Sequence, residues 1–317
     1  MTPQLSPPSF SSLHGILLKC ASVTVFTIMA ALIKTTAAEG TGVPPGQQVF
    51  FRSIFAVPVI LLWLLMRSEL KGGLTTFRPM GHVYRGLVGT ASMALGFWAL
   101  SLLTLPEATA IGYAAPLLVV IFAGMFLGED VRAFRLGMVA LGLIGVLIVL
   151  SPQLGAGGAA DPRRMLGAMV ALMAAICTAL AMIFVRKLVR DERTSAIVFW
   201  FSITSTGLSL LTVPFGWVLP GPATGAMLVL IGLLGGVGQI LMTSAYRYAD
   251  ASVVAPFDYV SMLLAIAIGW WFFDEIPTAS VILGGAIVIV AGILIIWREH
   301  RLGLERARQR KVTTPQG

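Results

Sequence analysis

Charge is scarce in this chain: Asp, Glu, Lys and Arg together make up 11% of its 317 residues, where globular domains average about 25%. A soluble surface cannot be built from so little. Histidine is rarer still, with His14, His82 and His300 at the ends of apolar segments or in the C-terminal tail. No His-Glu-x-x-His, no Gly-x-Ser-x-Gly and no pair of aspartates inside an apolar segment occurs, so the familiar signatures of an intramembrane enzyme are missing. Cys20 and Cys177 lie in apolar segments at unrelated places, which indicates neither a disulfide framework nor a metal pair. Neither metal nor cofactor is expected.

What the chain has instead is apolar sequence, 57% of residues with a mean hydropathy of +0.90. Runs near 20 residues match a hydrocarbon core of about 30 Å at about 1.5 Å per residue. Ten such runs are read, at 13–36, 47–66, 82–102, 107–127, 133–151, 165–187, 195–215, 223–246, 250–273 and 278–297. The boundary between the third and fourth carries no charge, but Pro106 followed by Glu107 fits a helix start, where proline costs little and an acid meets the positive dipole end.

The net charge of +8 sits between these runs rather than along one aromatic-laced stripe, which argues against a nucleic-acid partner. With the N-terminus placed inside, every basic residue except Lys19, Lys34, Arg52, Arg163 and Arg164 falls on the inner side, among them Arg67, Lys71, Arg78 and Arg85. This asymmetry predicts a multi-pass membrane protein with both termini in the cytoplasm. No basic n-region or Ala-x-Ala site accompanies the first run, so it is expected to remain as an anchor. The ends, Met1 to Ser12 and about Gly303 to Gly317, have the composition of mobile tails.

The segments 99–137 and 245–284 repeat one pattern. Ala99, Tyr113, Glu129, Leu136 and Gly137 stand at spacings of 14, 16, 7 and 1; Ala245, Tyr259, Glu275, Leu283 and Gly284 stand at 14, 16, 8 and 1. Upstream, Gly86, Leu87 and Gly89 answer to Gly232, Leu233 and Gly235, and Val49-Phe50-Phe51-Arg52-Ser53 faces Val198-Phe199-Trp200-Phe201-Ser202. The expected fold is an all-α integral membrane protein of ten transmembrane helices in two five-helix repeats, 13–151 and 165–297, joined by an outer linker at 152–164 and flanked by tails at 1–12 and 298–317. An odd number of spans per half inverts the second half in the membrane, which puts Glu129 at the inner surface and Glu275 at the outer one. Inverted repeats are a common basis for alternating access.

Four stretches carry a family resemblance: Phe50-Phe51-Arg52-Ser53, Leu127-Gly128-Glu129, Ala245-Tyr246-Arg247-Tyr248-Ala249-Asp250-Ala251 and Ala255-Pro256-Phe257-Asp258-Tyr259. In this order, within two five-helix halves, they resemble the drug/metabolite transporter superfamily in its EamA-type ten-helix branch. That resemblance implies an inner-membrane carrier of small organic metabolites with its site between the halves, and the stretches look most like members proposed to move S-adenosylmethionine or riboflavin; amino acids are also carried in the family.

Ionisable groups inside apolar segments cost about 2.5 to 3.5 kcal/mol at a helix centre, so each is a candidate for function. Asp258, the deepest acid, is expected to face the central cavity and pair with a substrate cation, with Lys19 or with a transported proton; the competing reading has it bonding backbone freed by Pro256. Arg52 either snorkels to the outer interface or captures a carboxylate or phosphate, and Lys34 reads as an interfacial anchor. Tyr113 and Tyr259, matched by the repeat, are expected either to sandwich a planar metabolite or to pack as ordinary helix contacts. Trp98, Gln239 and Tyr246 are further substrate candidates, with Met29, Met93 and Met262 as adaptable walls. Pro116 and Pro256 break their helices and are expected to point inward, where a cavity satisfies the freed carbonyls. Gly232-x-x-x-Gly236 and Gly124-x-x-x-Gly128 read as close helix packing. A channel would need a polar stripe or a charge ring, so a carrier is the favoured class over a channel, an intramembrane enzyme or a non-transporting scaffold. One acid at mid-depth permits a proton as coupling ion without requiring it.

Overall fold

A computed structural model describes residues 11–38, 42–68, 70–127, 133–152, 161–188, 191–248 and 254–312. Within these, the side chains of some helix-end and loop-flanking positions, Tyr246 and Arg247 among them, lie outside the described set, as do Gly128, Glu129, Asp250 and Ala251. The protein is all-α and crosses the membrane ten times. The spans are Ser11–Ala37, Pro45–Met66, Pro79–Leu102, Leu105–Phe126, Ala133–Leu150, Pro162–Leu188, Thr194–Leu210, Pro222–Tyr248, Pro256–Phe273 and Ala279–Val312. Prolines open the second, third, sixth and eighth, using a position where the missing N–H is no loss.

Eight of these helices are long and apolar enough to span on composition, and Ser195–Leu210 is a shorter apolar one. The third owes its weaker apolarity to His82, Arg85, Gly86, Gly89, Thr90, Ser92 and Gly96. It packs against the first, second, fourth, sixth and seventh spans, so its polar side meets protein rather than lipid, which is where membrane helices tolerate polar groups. The third and fourth spans are separate helices. Thr104 caps the fourth in a reciprocal box: its hydroxyl accepts from the Glu107 N–H at 3.3 Å, and the Glu107 carboxylate accepts from the Thr104 N–H at 3.0 Å. The tenth helix differs from expectation, since it continues through the basic segment to Val312; Arg298 and Arg301 stack on Phe134 and Trp297 there.

The packing has the symmetry of the repeat. The first span lies along the eighth as the sixth lies along the third, while the second pairs with the seventh and the fifth with the tenth, each with its own counterpart. Glycine permits the closest of these approaches. A Cβ on Gly145 of the fifth span would stand 2.7 Å from the Gly284 carbonyl oxygen, and one on Gly284 of the tenth would collide with that of Gly145. Gly232 and Gly236 likewise seat the eighth span on Phe51, Phe55, Ala56 and Val59 of the second, as the spacing predicted.

Side chains that grip backbone lock the second and seventh spans at both ends. At one face Gln47, 2% exposed, donates to the Val218 carbonyl at 2.8 Å and accepts from the Val218 N–H at 3.0 Å. At the other, Glu192 accepts from the N–H groups of Phe77 and Arg78 at 2.6 and 2.7 Å and from the Thr76 hydroxyl at 2.8 Å. Burial pushes the Glu192 carboxyl up, but these donors and nearby His82 outweigh it and hold the group below the usual carboxylate range. A carboxyl with a depressed pKa in the folded state contributes stability above its unfolded pKa and loses it as pH falls through the folded one. Glu192→Gln is therefore expected to melt lower than wild type at neutral pH, by about 2 kcal/mol, with the gap closing in acid; detergent melts across a pH series check this, and a gap independent of pH counts against it.

Candidate functional site

The fourth and ninth spans are both broken where the repeat aligns them. In the fourth, helix stops at Gly112 and restarts at Ala114, with Tyr113 between. Proline at 116 cannot donate to the carbonyl of Gly112, four residues back, which accounts for the place of the break. The ninth enters as a tight 3-10 turn, Ala255–Tyr259, before becoming regular helix at Val260. Pro116 is exposed, while Pro256 is half-buried.

The two breaks meet through their tyrosines. The Tyr113 and Tyr259 rings touch edge to face, with centroids 5.1 Å apart at 72°, and the Tyr113 hydroxyl shares a 2.6 Å hydrogen bond with Ser261. The rings thus meet each other directly, as ordinary helix contacts do. Gly292 leaves room for the Tyr259 hydroxyl, since any Cβ there would collide with it.

On one side of this contact, Gly112 opens on a cavity of about 250 Å³ between the third, fourth and sixth spans, lined also by Ser92, Met93, Thr109, Ala171 and Thr178. On the other side stands its repeat counterpart, Asp258. The Asp258 carboxylate meets the Lys19 ammonium at 2.7 Å; the lysine side chain is 3% exposed and the aspartate 43%. The pairing weighed from the sequence is thus present, and the acid keeps an open face.

A second ion pair joins the same two helices at their other end. Lys34 Nζ lies 2.8 Å from Glu275 Oε1 and donates to the carbonyls of Leu103 and Leu100 that end the third span, at 2.5 and 3.3 Å. Glu275 Oε2 accepts from the Leu105 N–H at 2.8 Å. Asp274 takes a left-handed conformation, φ 53°, which ends the ninth span and turns Glu275 back toward the first. Lys34 is accordingly a half-buried tie between helices and more than the interfacial anchor expected. Its side chain is 16% exposed.

Arg52 does not snorkel. It is 6% exposed and rests over the Phe201 ring at 5.8 Å. Arg85, assigned from sequence to a cytoplasmic charge cluster, lies inside the third span and covers the same ring at 4.0 Å. The missed signal is Pro79: a helix beginning there, rather than at 82, carries Arg85 almost two turns into the bundle. Gln239 is half-buried beside Gly238, whose carbonyl accepts the Ser22 hydroxyl at 2.9 Å. Trp98 is 40% exposed and lies outside the cavity lining, although its neighbours Phe97 and Ala99 belong to it. The Tyr246 side chain lies outside the described residues. Met29 and Met262 are buried in the core.

Comparison with known proteins gives the same architecture. A sequence model described as the EamA-like transporter family matches residues 13–151 and again 165–298. A pseudopaline exporter, CntI, of Pseudomonas aeruginosa is 30% identical over 288 residues, spanning 89% of this chain and 95% of that protein. An S-adenosylmethionine uptake transporter of Rickettsia bellii is 27% identical over 290 residues, 90% of this chain and 97% of its own. A riboflavin transporter of Rhizobium johnstonii is 30% identical over 257 residues, 80% of each chain. A solved crystal structure shares the fold with a TM-score of 0.61 at 21% identity, covering 89% of this chain and 97% of that one.

Proposed function

Because the chain belongs to the EamA-like transporter family of the drug/metabolite transporter superfamily, we propose that it moves a small amphipathic or charged metabolite across the inner membrane by alternating access between its inverted halves. The observation that carries this reading is the broken symmetry at the paired helix breaks: Gly112 faces a cavity where its counterpart Asp258, half-exposed, faces Lys19. The metabolite occupies the space beside the breaks. Asp258 receives its cationic group or a coupling proton, Arg52 receives an anionic one, and Gln239 adds a neutral contact. Tyr113 and Tyr259 position the two breaks against each other, and Pro116 and Pro256 make the breaks possible.

The loop charges support placing both termini in the cytoplasm. In that orientation Lys19–Asp258 ties the first and ninth spans toward the cytoplasm and Lys34–Glu275 ties them toward the outside. The lysines are 15 residues apart, about 22 Å along one helix, so each tie can open while the other holds. Relatives named for pseudopaline, S-adenosylmethionine and riboflavin suggest the size of cargo, and the acid–lysine pair favours a zwitterion such as S-adenosylmethionine or an amino acid over a neutral flavin.

Reconstituted vesicles loaded with unlabelled metabolite test the reading. Saturable counterflow of labelled S-adenosylmethionine, amino acid or riboflavin is expected for at least one of them. Linear flux without counterflow indicates a channel, and recovery of a chemically altered ligand indicates an enzyme; either result overturns the proposal.

A further inference from the structure

Three cations of the structure, Lys19, Lys34 and Arg164, each have an acid; the deeply set Arg52 and the half-buried Arg85 do not. Among the described residues no carboxylate lies within salt-bridge distance of either guanidinium, whereas Lys19, Lys34 and Arg164 are paired with Asp258, Glu275 and Glu107. Nε of Arg52 and both Nε and Nη1 of Arg85 are buried with no hydrogen-bond partner.

The two side chains come from opposite faces of the membrane. Arg52 lies seven residues after Pro45 in the second span and Arg85 six after Pro79 in the antiparallel third, each roughly 10 Å in from its own helix end. They converge on Phe201 of the seventh span, which is 7% exposed, with guanidinium carbons 5.8 and 4.0 Å from its centroid. Glycines make the room: a Cβ on Gly89 would collide with Arg85 Nη1, and one on Gly235 would stand 3.1 Å from Arg52 Nε. The hydroxyls of Ser53 and Ser202, next in sequence to Arg52 and Phe201, are also buried and unpartnered.

One ring shared by two cations compensates little. Cation–π contacts contribute about 0.5 to 2 kcal/mol each, while an uncompensated buried charge costs several. Two guanidinium groups set against one ring, both with unpartnered donors, are of the type that binds oxyanions bidentately. We infer that Arg52 and Arg85 together form a site for the carboxylate or phosphate group of the transported metabolite, with Arg85 as a binding residue in its own right. This rests on the carrier reading above, and it restricts the cargo to molecules bearing an oxyanion.

The test uses the purified full chain in detergent at fixed ionic strength, with chloride as background. Malonate and inorganic phosphate are titrated against the melting temperature, with uncharged malonamide as control. A saturable rise with malonate or phosphate and none with malonamide is expected, and whichever oxyanion acts at lower concentration identifies the group. Arg85→Gln and Arg52→Gln are expected to raise the half-saturating concentration about tenfold or more, and Arg85→Lys to fall between them and wild type. In chloride alone Arg85→Gln is expected to melt above wild type, because it removes an uncompensated charge. The inference is overturned if neither oxyanion gives a saturable shift, if Arg85→Gln responds as wild type does, or if it melts below wild type, as it must if the arginine is only a structural staple. Oxyanion binding without counterflow of any metabolite would leave the site standing and remove the carrier reading; counterflow without an oxyanion response would do the reverse.

Discussion

Asp258→Asn will reach the membrane folded and lose most of its transport. The carboxylate is half-exposed beside the ninth-span break and held at 2.7 Å by a lysine that is itself 3% exposed. Hydrogen bonds to a charged partner are worth about 1.5 to 3 kcal/mol, so replacing the carboxylate by an amide should slow counterflow by about tenfold or more. Stability should fall too, because the Lys19 ammonium is left without this acid. Breaking a fully buried pair costs about 3 to 5 kcal/mol; with Asp258 open on one side, about 2 kcal/mol is expected. Adding Lys19→Met should restore the melting temperature without restoring transport, which separates the two effects. Rates measured against pH in wild type and variant then tell a carried proton from a bound cation, since only proton coupling loses its pH dependence with the carboxylate. Normal counterflow in Asp258→Asn removes this residue from the mechanism.

Gly284→Val will be the most damaging single substitution to the fold itself. The fifth and tenth spans cross with backbone against backbone, and the new Cβ would overlap the Gly145 carbonyl oxygen and crowd Val149. Neither obstacle is the flexible end of a side chain, so the helices must separate, and overpacking of this kind costs about 3 kcal/mol or more. Gly145→Val should do nearly as much from the other side. Melting temperature and the monodisperse yield from membranes report it. Wild-type behaviour in both would show that the crossing has slack that the geometry denies.

The repeat, read from residues such as Ala99, Tyr113, Ala245 and Tyr259, carries most of the fold: ten spans, two halves and the inversion follow from a pattern and a count. What it does not carry is helical phase. Pro116 marks the fourth-span break correctly, but which way its ring points depends on the rotation of the helix against neighbours that one sequence does not specify. Trp98 is a like case, since it stands one residue from Phe97 and Ala99 and yet does not line the cavity that they line. Tyr113 and Tyr259 were matched by spacing, yet spacing is silent on whether matched residues flank a ligand or meet each other. Arg85 escaped for a different reason. Its charge was counted with Arg67, Lys71 and Arg78 as a loop cluster because the third span was begun three residues too late, and a shift of less than one turn separates a solvated cation from a buried one.

Arg52 and Phe201 occupy the same place in the two copies, and they are in contact. A position that meets its own counterpart lies near the pseudo-two-fold axis, and in a homodimer of identical five-helix subunits the residue there must face itself. Arginine would then meet arginine and phenylalanine would meet phenylalanine, and a cation resting on an aromatic face would be geometrically unavailable. Once the half is duplicated, each side of the axis can mutate alone. The contact between Arg52 and Phe201 is thus a form of complementarity that a symmetric ancestor could not have had.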